Sequence, residues 1–244
     1  MLPIVISVAR RGLLRDYTRA WPRISSLSLK SKASALRRFA ATTVLGCAAT
    51  LAACGGGGGG ATVPAPGPSP SPTPIQLTAG MVLGQSAFPE GDTSSGGHGN
   101  VIDGIACAAA VGGYHIHSHI SLFRNGTQIA LPLAIGIPNP QIQNGFVTNG
   151  SCFYQLHAHD ASGIVHVEAQ RPSAFTVGQF FDIWGEQLSS SNVAGFSGPV
   201  VVYVNGTQYG GDPRAIVFAE RQEVTLEVGS PTVAPPRYIF PSNY

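Results

Sequence analysis

The chain reads as a mainly β domain, α+β at most, built as a sandwich or β-grasp-like sheet of hairpins with one short helix. Three observations predict this. Tyr114–Phe123 alternates over ten positions, the two-residue period of a half-buried strand. Asn125-Gly126 and Asn205-Gly206 each follow a β-rich run, and Asn-Gly is the strongest short hairpin signal because both residues tolerate positive φ. One segment breaks the strand rhythm, with Val177, Phe180, Phe181 and Trp184 at helical spacing between Thr176 and Gly185.

In chain order, residues 30–38 form a basic stretch and residues 39–53 an apolar one, short for a membrane span and suited to an export signal. It ends in Leu51-Ala52-Ala53-Cys54. This ending resembles the lipobox of bacterial lipoproteins. The resemblance implies that residues 1–53 are a signal peptide, with an over-long start, and that Cys54 becomes the lipidated first residue of the mature chain. Gly55 in place of Asp favours the outer membrane, on its periplasmic or outer face. Residues 54–74 carry six glycines and then a Pro/Ser stretch. They read as a tether holding the domain roughly 25 Å from the lipid by coil statistics.

Charge divides at the same cysteine. Before Cys54 lie two lysines, seven arginines and one acid, net +8; after it lie five arginines and eleven acids, net −6. A lysine-free acidic surface does not suit a phosphate backbone, which excludes nucleic acid as the partner. No uninterrupted apolar run of about 18 residues follows Cys54, so the lipid is the expected membrane attachment.

The domain is expected over residues 75–232, with 233–244 as a tail. Tyr114–Phe123 leads through Asn125-Gly126 into a second strand, and Val200–Val204 does the same through Asn205-Gly206. A third hairpin is expected from Phe153–His159, a turn at Asp160–Gly163, and Ile164–Ala169. Residues 215–219 and 223–228 read as a further pair, and Thr176 and Gly185 as the caps of a helix near 176–184. Cys107 and Cys152 are the cysteines remaining after Cys54, and export favours their pairing as a disulfide.

Six of the seven histidines fall between 115 and 166. On strands, His115, His117 and His119 share one face, and so do His157 and His159, and His166 and Glu168. If the Asp160–Gly163 turn closes symmetrically, paired residues sum to 323 and His157 lies opposite His166. Imidazoles converging on one sheet face make a metal site for zinc or copper. Residues i and i+4 of a strand are about 13 Å apart, so one ion takes at most two ligands from 115, 117 and 119. Asp160 and Glu168 are candidates for a carboxylate ligand or for orienting a ligating imidazole. His98 is expected in a loop outside the site.

The segments at 114–137, 152–168 and 175–185 resemble a domain of uncharacterised exported bacterial proteins, a resemblance that implies export and supplies no activity. Cupins and α-carbonic anhydrases also use His-x-His, but the order and spacing of the later ligands differ here. The function expected is a lipid-anchored envelope protein that holds zinc or copper for sequestration, delivery or sensing, with affinity falling as the histidines protonate near pH 6. The alternatives are a metal-dependent hydrolase or lyase with a three-His site, and a structural or adhesion module without metal.

Overall fold

The computed structural model describes residues 73–94, 96–109, 112–242 and 244. The lipobox, Cys54 and the tether up to residue 72 lie outside them. Contacts divide the chain after Thr62, and the described residues all belong to the second unit, Val63–Tyr244. The domain is mainly β with one short helix, as the sequence predicts. Among the described residues no helix is long and apolar enough to cross a membrane.

Two short strands, β1 (Ile75–Gln76) and β2 (Gln85–Ser86), precede the eleven-residue β3 (Tyr114–Arg124), which turns back through Asn125-Gly126 into β4 (Thr127–Ala130). Both turn residues have positive φ, 48° and 75°, which matches the right-handed twist of the flanking strands. The same dipeptide at Asn144-Gly145 joins β5 (Gln141–Gln143) to β6 (Phe146–Asn149), a hairpin that is not among those expected. Next come β7 (Leu156–His157), β8 (Ile164–Ala169) and the helix α1 (Val177–Trp184). The strands β9 (Asn192–Val193), β10 (Phe196–Ser197), β11 (Val200–Val204), β12 (Thr207–Tyr209), β13 (Gln222–Val228) and β14 (Tyr238–Ile239) complete the domain.

β3 is the spine of an eight-stranded mixed sheet. One edge pairs in parallel with β13, Ser118–Arg124 against Gln222–Val228. The other edge is shared: Tyr114–His119 pair with β8, and Leu122–Arg124 with β4. β8 pairs in turn with β7. The order β3–β8–β7 decides where the site lies.

One face of these strands is apolar. Ile120, Leu122, Val165, Val167, Ala169 and Leu156 form a continuous core with Val177, Phe180, Phe181, Ile183 and Trp184 of α1. Burying each large side chain contributes about 1.5–3 kcal/mol, so the helix is held chiefly by its packing. Its ends are also set locally. Thr176 Oγ1 accepts from Gln179 N while Gln179 Oε1 accepts from Thr176 N, a reciprocal cap. Gly185, at φ 84°, turns the chain out of the helix.

Two expectations are corrected. Residues 215–219 do not form a strand paired with 223–228: Pro213–Ala215 is a 3-10 turn, Val217 makes one bridge to Thr176, and β13 takes β3 and β11 as neighbours. Both edges of β13 are already taken, by β3 in parallel and by β11 antiparallel, which leaves no edge for a local hairpin. Residues 233–244 are not a free tail. β14 pairs in parallel with β1, and Tyr238 and Phe240 are buried with Leu77 and Ile164. β13 pins this return segment, because Glu223 Oε1 accepts from Tyr238 N and Glu227 Oε2 from Val233 N, each at 2.9 Å.

Candidate metal centre

Strand alternation puts Val165, Val167 and Ala169 of β8 toward the helix and leaves His166 and Glu168 on the opposite face. Register does the rest. His117 and His157 each lie directly across from His166, and His115 lies across from Glu168. The pairs Leu156–Val167 and His157–His166 are those expected for a symmetric Asp160–Gly163 turn. A rank of three imidazoles therefore crosses β3, β8 and β7, with His159 one step beyond β7.

The donor atoms form two sets, His115, His117 and His166, and His157, His159 and His166, with the atoms of each set within 4.8 Å of one another. Glu168 Oε1 lies 3.2 Å from His115 Nε2, 3.8 Å from His157 Nε2 and 3.9 Å from His166 Nδ1. His115 Nε2 and His166 Nδ1 are 3.1 Å apart. Two nitrogens bound to one tetrahedral ion at about 2.05 Å stand about 3.3 Å apart. The cluster has the spacing of a coordination shell.

Tautomers sharpen this. His157 Nδ1 is 2.8 Å from Tyr154 O, and His159 Nδ1 is 2.6 Å from Val147 O. A carbonyl can only accept, so both Nδ1 atoms carry hydrogen and both Nε2 atoms present lone pairs. Those two Nε2 atoms face each other at 3.1 Å. Neither can donate to the other, and a cation between them turns the repulsion into attraction. The Nδ1–H to carbonyl bond is also the usual way a metal-ligating imidazole is oriented. His117 adds an orphan: its Nε2 is buried without a hydrogen-bond partner among the described residues, a cost of about 1–3 kcal/mol if nothing compensates it.

Burial is the main cause of depressed imidazole pKa values here, and neighbouring imidazoles add to it. His117 is pushed down to about 4 and His157 to about 3. His159 is lowered and His166 lies well below its ordinary value, again chiefly through burial. His117 and His157 therefore stay neutral through pH 6, so their protonation is displaced below the expected pH 6. Neutral imidazole is the ligating form. His115 is the exposed member of the set, at 45% of its side-chain surface, and gives the cluster its opening to solvent.

Aromatic rings cover the remaining sides. Phe146 stacks on His159 at 4.8 Å between centroids, and Phe153 meets His157 edge-on at 5.5 Å. Tyr244 stacks on His117 at 4.6 Å and meets His166 edge-on at 5.3 Å. Burial, with the Asp160 charge, pushes its phenol up to about 12, so Tyr244 is present as the neutral ring. Cys107 and Cys152 are disulfide-bonded, with Cα atoms 5.5 Å apart. The neighbouring Ala108 and Phe153 exchange backbone hydrogen bonds of 2.9 and 2.8 Å, so the bridge anchors the segment leading to Phe153 and β7.

Two candidate residues fall outside the cluster. His119 Nε2–H donates to Ser162 O at 2.8 Å, and the ring lies on Tyr238 with 3.8 Å between centroids. The distance between strand positions i and i+4 leaves it a structural residue rather than a ligand. Asp160 is not a ligand either: Oδ2 accepts from Gly80 N, and Oδ1 accepts from Ser162 N and Ser162 Oγ. That carboxylate holds the β7–β8 turn. Gly163 completes the turn at φ 90°, where a Cβ would lie 2.4 Å from Ile120 O. His98 lies in an exposed turn bonded to Ser94 O, as expected for a residue outside the site. A cavity of about 590 Å³ lined by Asp103, Asp182, Glu186 and Arg214 contains none of these histidines.

No family model, no curated protein and no solved structure matches the chain. Function is read from the donors themselves.

Proposed function

We propose that this domain binds zinc or Cu(II) through His115, His117, His157, His159 and His166, with Glu168 as the carboxylate donor. The observation that carries the reading is the 3.1 Å approach of two lone-pair-bearing nitrogens, His157 Nε2 and His159 Nε2. Thiolate donors are absent from the set, because Cys107 and Cys152 are bonded to each other. Imidazole with one carboxylate suits these two metals.

The protein acts as an envelope protein, exported and anchored by lipid on Cys54, that holds the ion for sequestration, delivery or sensing. The lipobox, Leu51 to Cys54, and the glycine-rich tether support that placement. A binding role fits better than a hydrolase or lyase. Among the described residues Glu168 is the carboxylate within 4 Å of three imidazoles, and as a ligand it would not serve as a general base.

The test is elemental mass spectrometry on the full chain, exported, purified without a His-tag or chelating resin, and then titrated with zinc and Cu(II). Stoichiometric metal lost on His157→Ala supports the reading; no metal and no binding tighter than micromolar overturns it. Loss of membrane association in Cys54→Ala tests the anchor separately.

A further inference from the structure

We infer that the centre is built for two ions, one on each side of β8, with the Glu168 carboxylate between them. This rests on the metal-binding reading above. It goes further by assigning the number of ions and the ligands of each.

The donors exceed what one ion needs. Five imidazoles and a carboxylate converge, whereas zinc in protein sites is almost always four-coordinate. They also arrive from separate strands. His115 and His117 come from β3, His157 and His159 from β7 and the residues after it, and β8 runs between. Adjacent strands are about 4.8 Å apart, so the two outer pairs stand roughly two strand spacings from each other at the backbone. An ion between β3 and β8 reaches His115, His117 and His166. One between β8 and β7 reaches His157, His159 and His166. These are the two sets of donor atoms the fold brings within 4.8 Å, and His166 is common to both. A neutral imidazole has one lone pair, so His166 serves both ions only by releasing its N–H proton to solvent and giving one ring nitrogen to each.

Each half also carries its own unmet demand. On the β7 side two lone pairs meet at 3.1 Å. On the β3 side the buried His117 Nε2 has no partner among the described residues. His117 is grouped with His115 and His166 but not with His157 and His159, so an ion satisfying the β7 pair leaves His117 unsatisfied. Glu168 joins the halves, because Oε1 is 3.2 Å from His115 Nε2 and 3.8 Å from His157 Nε2. A carboxylate has two oxygens and can give one to each ion. Two cations one strand spacing apart repel, and an anionic bridge offsets that repulsion.

The experiment is metal content and Cu(II) electron paramagnetic resonance on the full chain. Two ions per chain are expected. In the Cu(II)-loaded protein the two spins should couple, with loss or broadening of the isolated Cu(II) signal. His117→Ala and, independently, His115→Ala should each fall from two ions to one and restore the isolated signal. His115 is exposed, so its variant keeps the fold if His117→Ala does not. One ion in the unaltered protein overturns the two-ion centre while leaving the single site of the proposed function standing. Zero ions overturn both. Two ions with uncoupled spins overturn the shared centre, because the second ion then lies elsewhere.

Discussion

His157 Nε2 and His159 Nε2 confront each other at 3.1 Å with both Nδ1–H groups committed to backbone carbonyls. Each ring has given its hydrogen to the fold and keeps only a lone pair for its neighbour. Removing either ring removes both the repulsion and the ligand pair. His157→Ala and His159→Ala are each expected to abolish tight binding on the β7 side, while His98→Ala leaves it unchanged. Metal at 100 times its dissociation constant stabilises a one-site protein by about 2.7 kcal/mol, so the thermal shift on adding zinc should shrink in the first two variants. Equal binding by all three would sink the assignment.

His119 should separate structure from ligation. Its ring is fully buried and donates to Ser162 O. His119→Ala is expected to lower stability by about 2–4 kcal/mol through lost packing and an unpaired carbonyl, with metal stoichiometry retained. Denaturant unfolding and metal content on the same sample check this. Loss of metal with no loss of stability would contradict it.

Tyr244 covers His117 and His166. With the ring removed, water and chelators reach the imidazoles from that side. Tyr244→Ala is expected to speed removal of zinc by a chelator about tenfold without changing how much zinc binds. An unchanged stripping rate would mean that the ring does not cap the site.

Glu227 sets a pH dependence of stability. Burial raises its carboxyl above 4.5, so the folded state favours the protonated form. That contribution is fully present below the unfolded value, and it is lost as pH rises through the higher folded value. Glu227→Gln is therefore expected to be the more stable form at pH 7, with the difference shrinking as pH falls toward 4.5. Parallel melting curves from pH 4 to 8 decide it, and a variant less stable at pH 7 would refute it.

The disulfide closes a 45-residue separation, for which the chain-entropy account gives about 4 kcal/mol. Cys107→Ser with Cys152→Ser should lose about 2–4 kcal/mol of stability. It should also weaken metal binding, because Phe153, next to the bridge, packs on His157 and His159.

Much of the site was legible because it depends on periods and sums. The two-residue alternation places His115 and His117 on one face, and the four-residue turn at Asp160–Gly163 sets His157 against His166. The helix was legible in its caps, Thr176 and Gly185. Asn144-Gly145 carries the same signal as the hairpin turns at Asn125-Gly126 and Asn205-Gly206. Asp160 was not legible, because a carboxylate beside His-x-His reads alike whether it meets an ion or the amides of Gly80 and Ser162.

Local chemistry in the sequence determined the turns, the strand faces and the pairing across the β7–β8 turn. Each depends on residues close in the chain or on a two-residue period. Tertiary structure decided what depends on distant segments. β13 takes the parallel place beside β3, the return segment lays Tyr238 on His119 and Tyr244 on His117, and the carbonyls of Tyr154 and Val147 choose the tautomers of His157 and His159. A histidine's donor atom is set by whatever accepts its other hydrogen. At His159 that acceptor, Val147 O, lies on β6, twelve residues back in the chain, and shows only after folding.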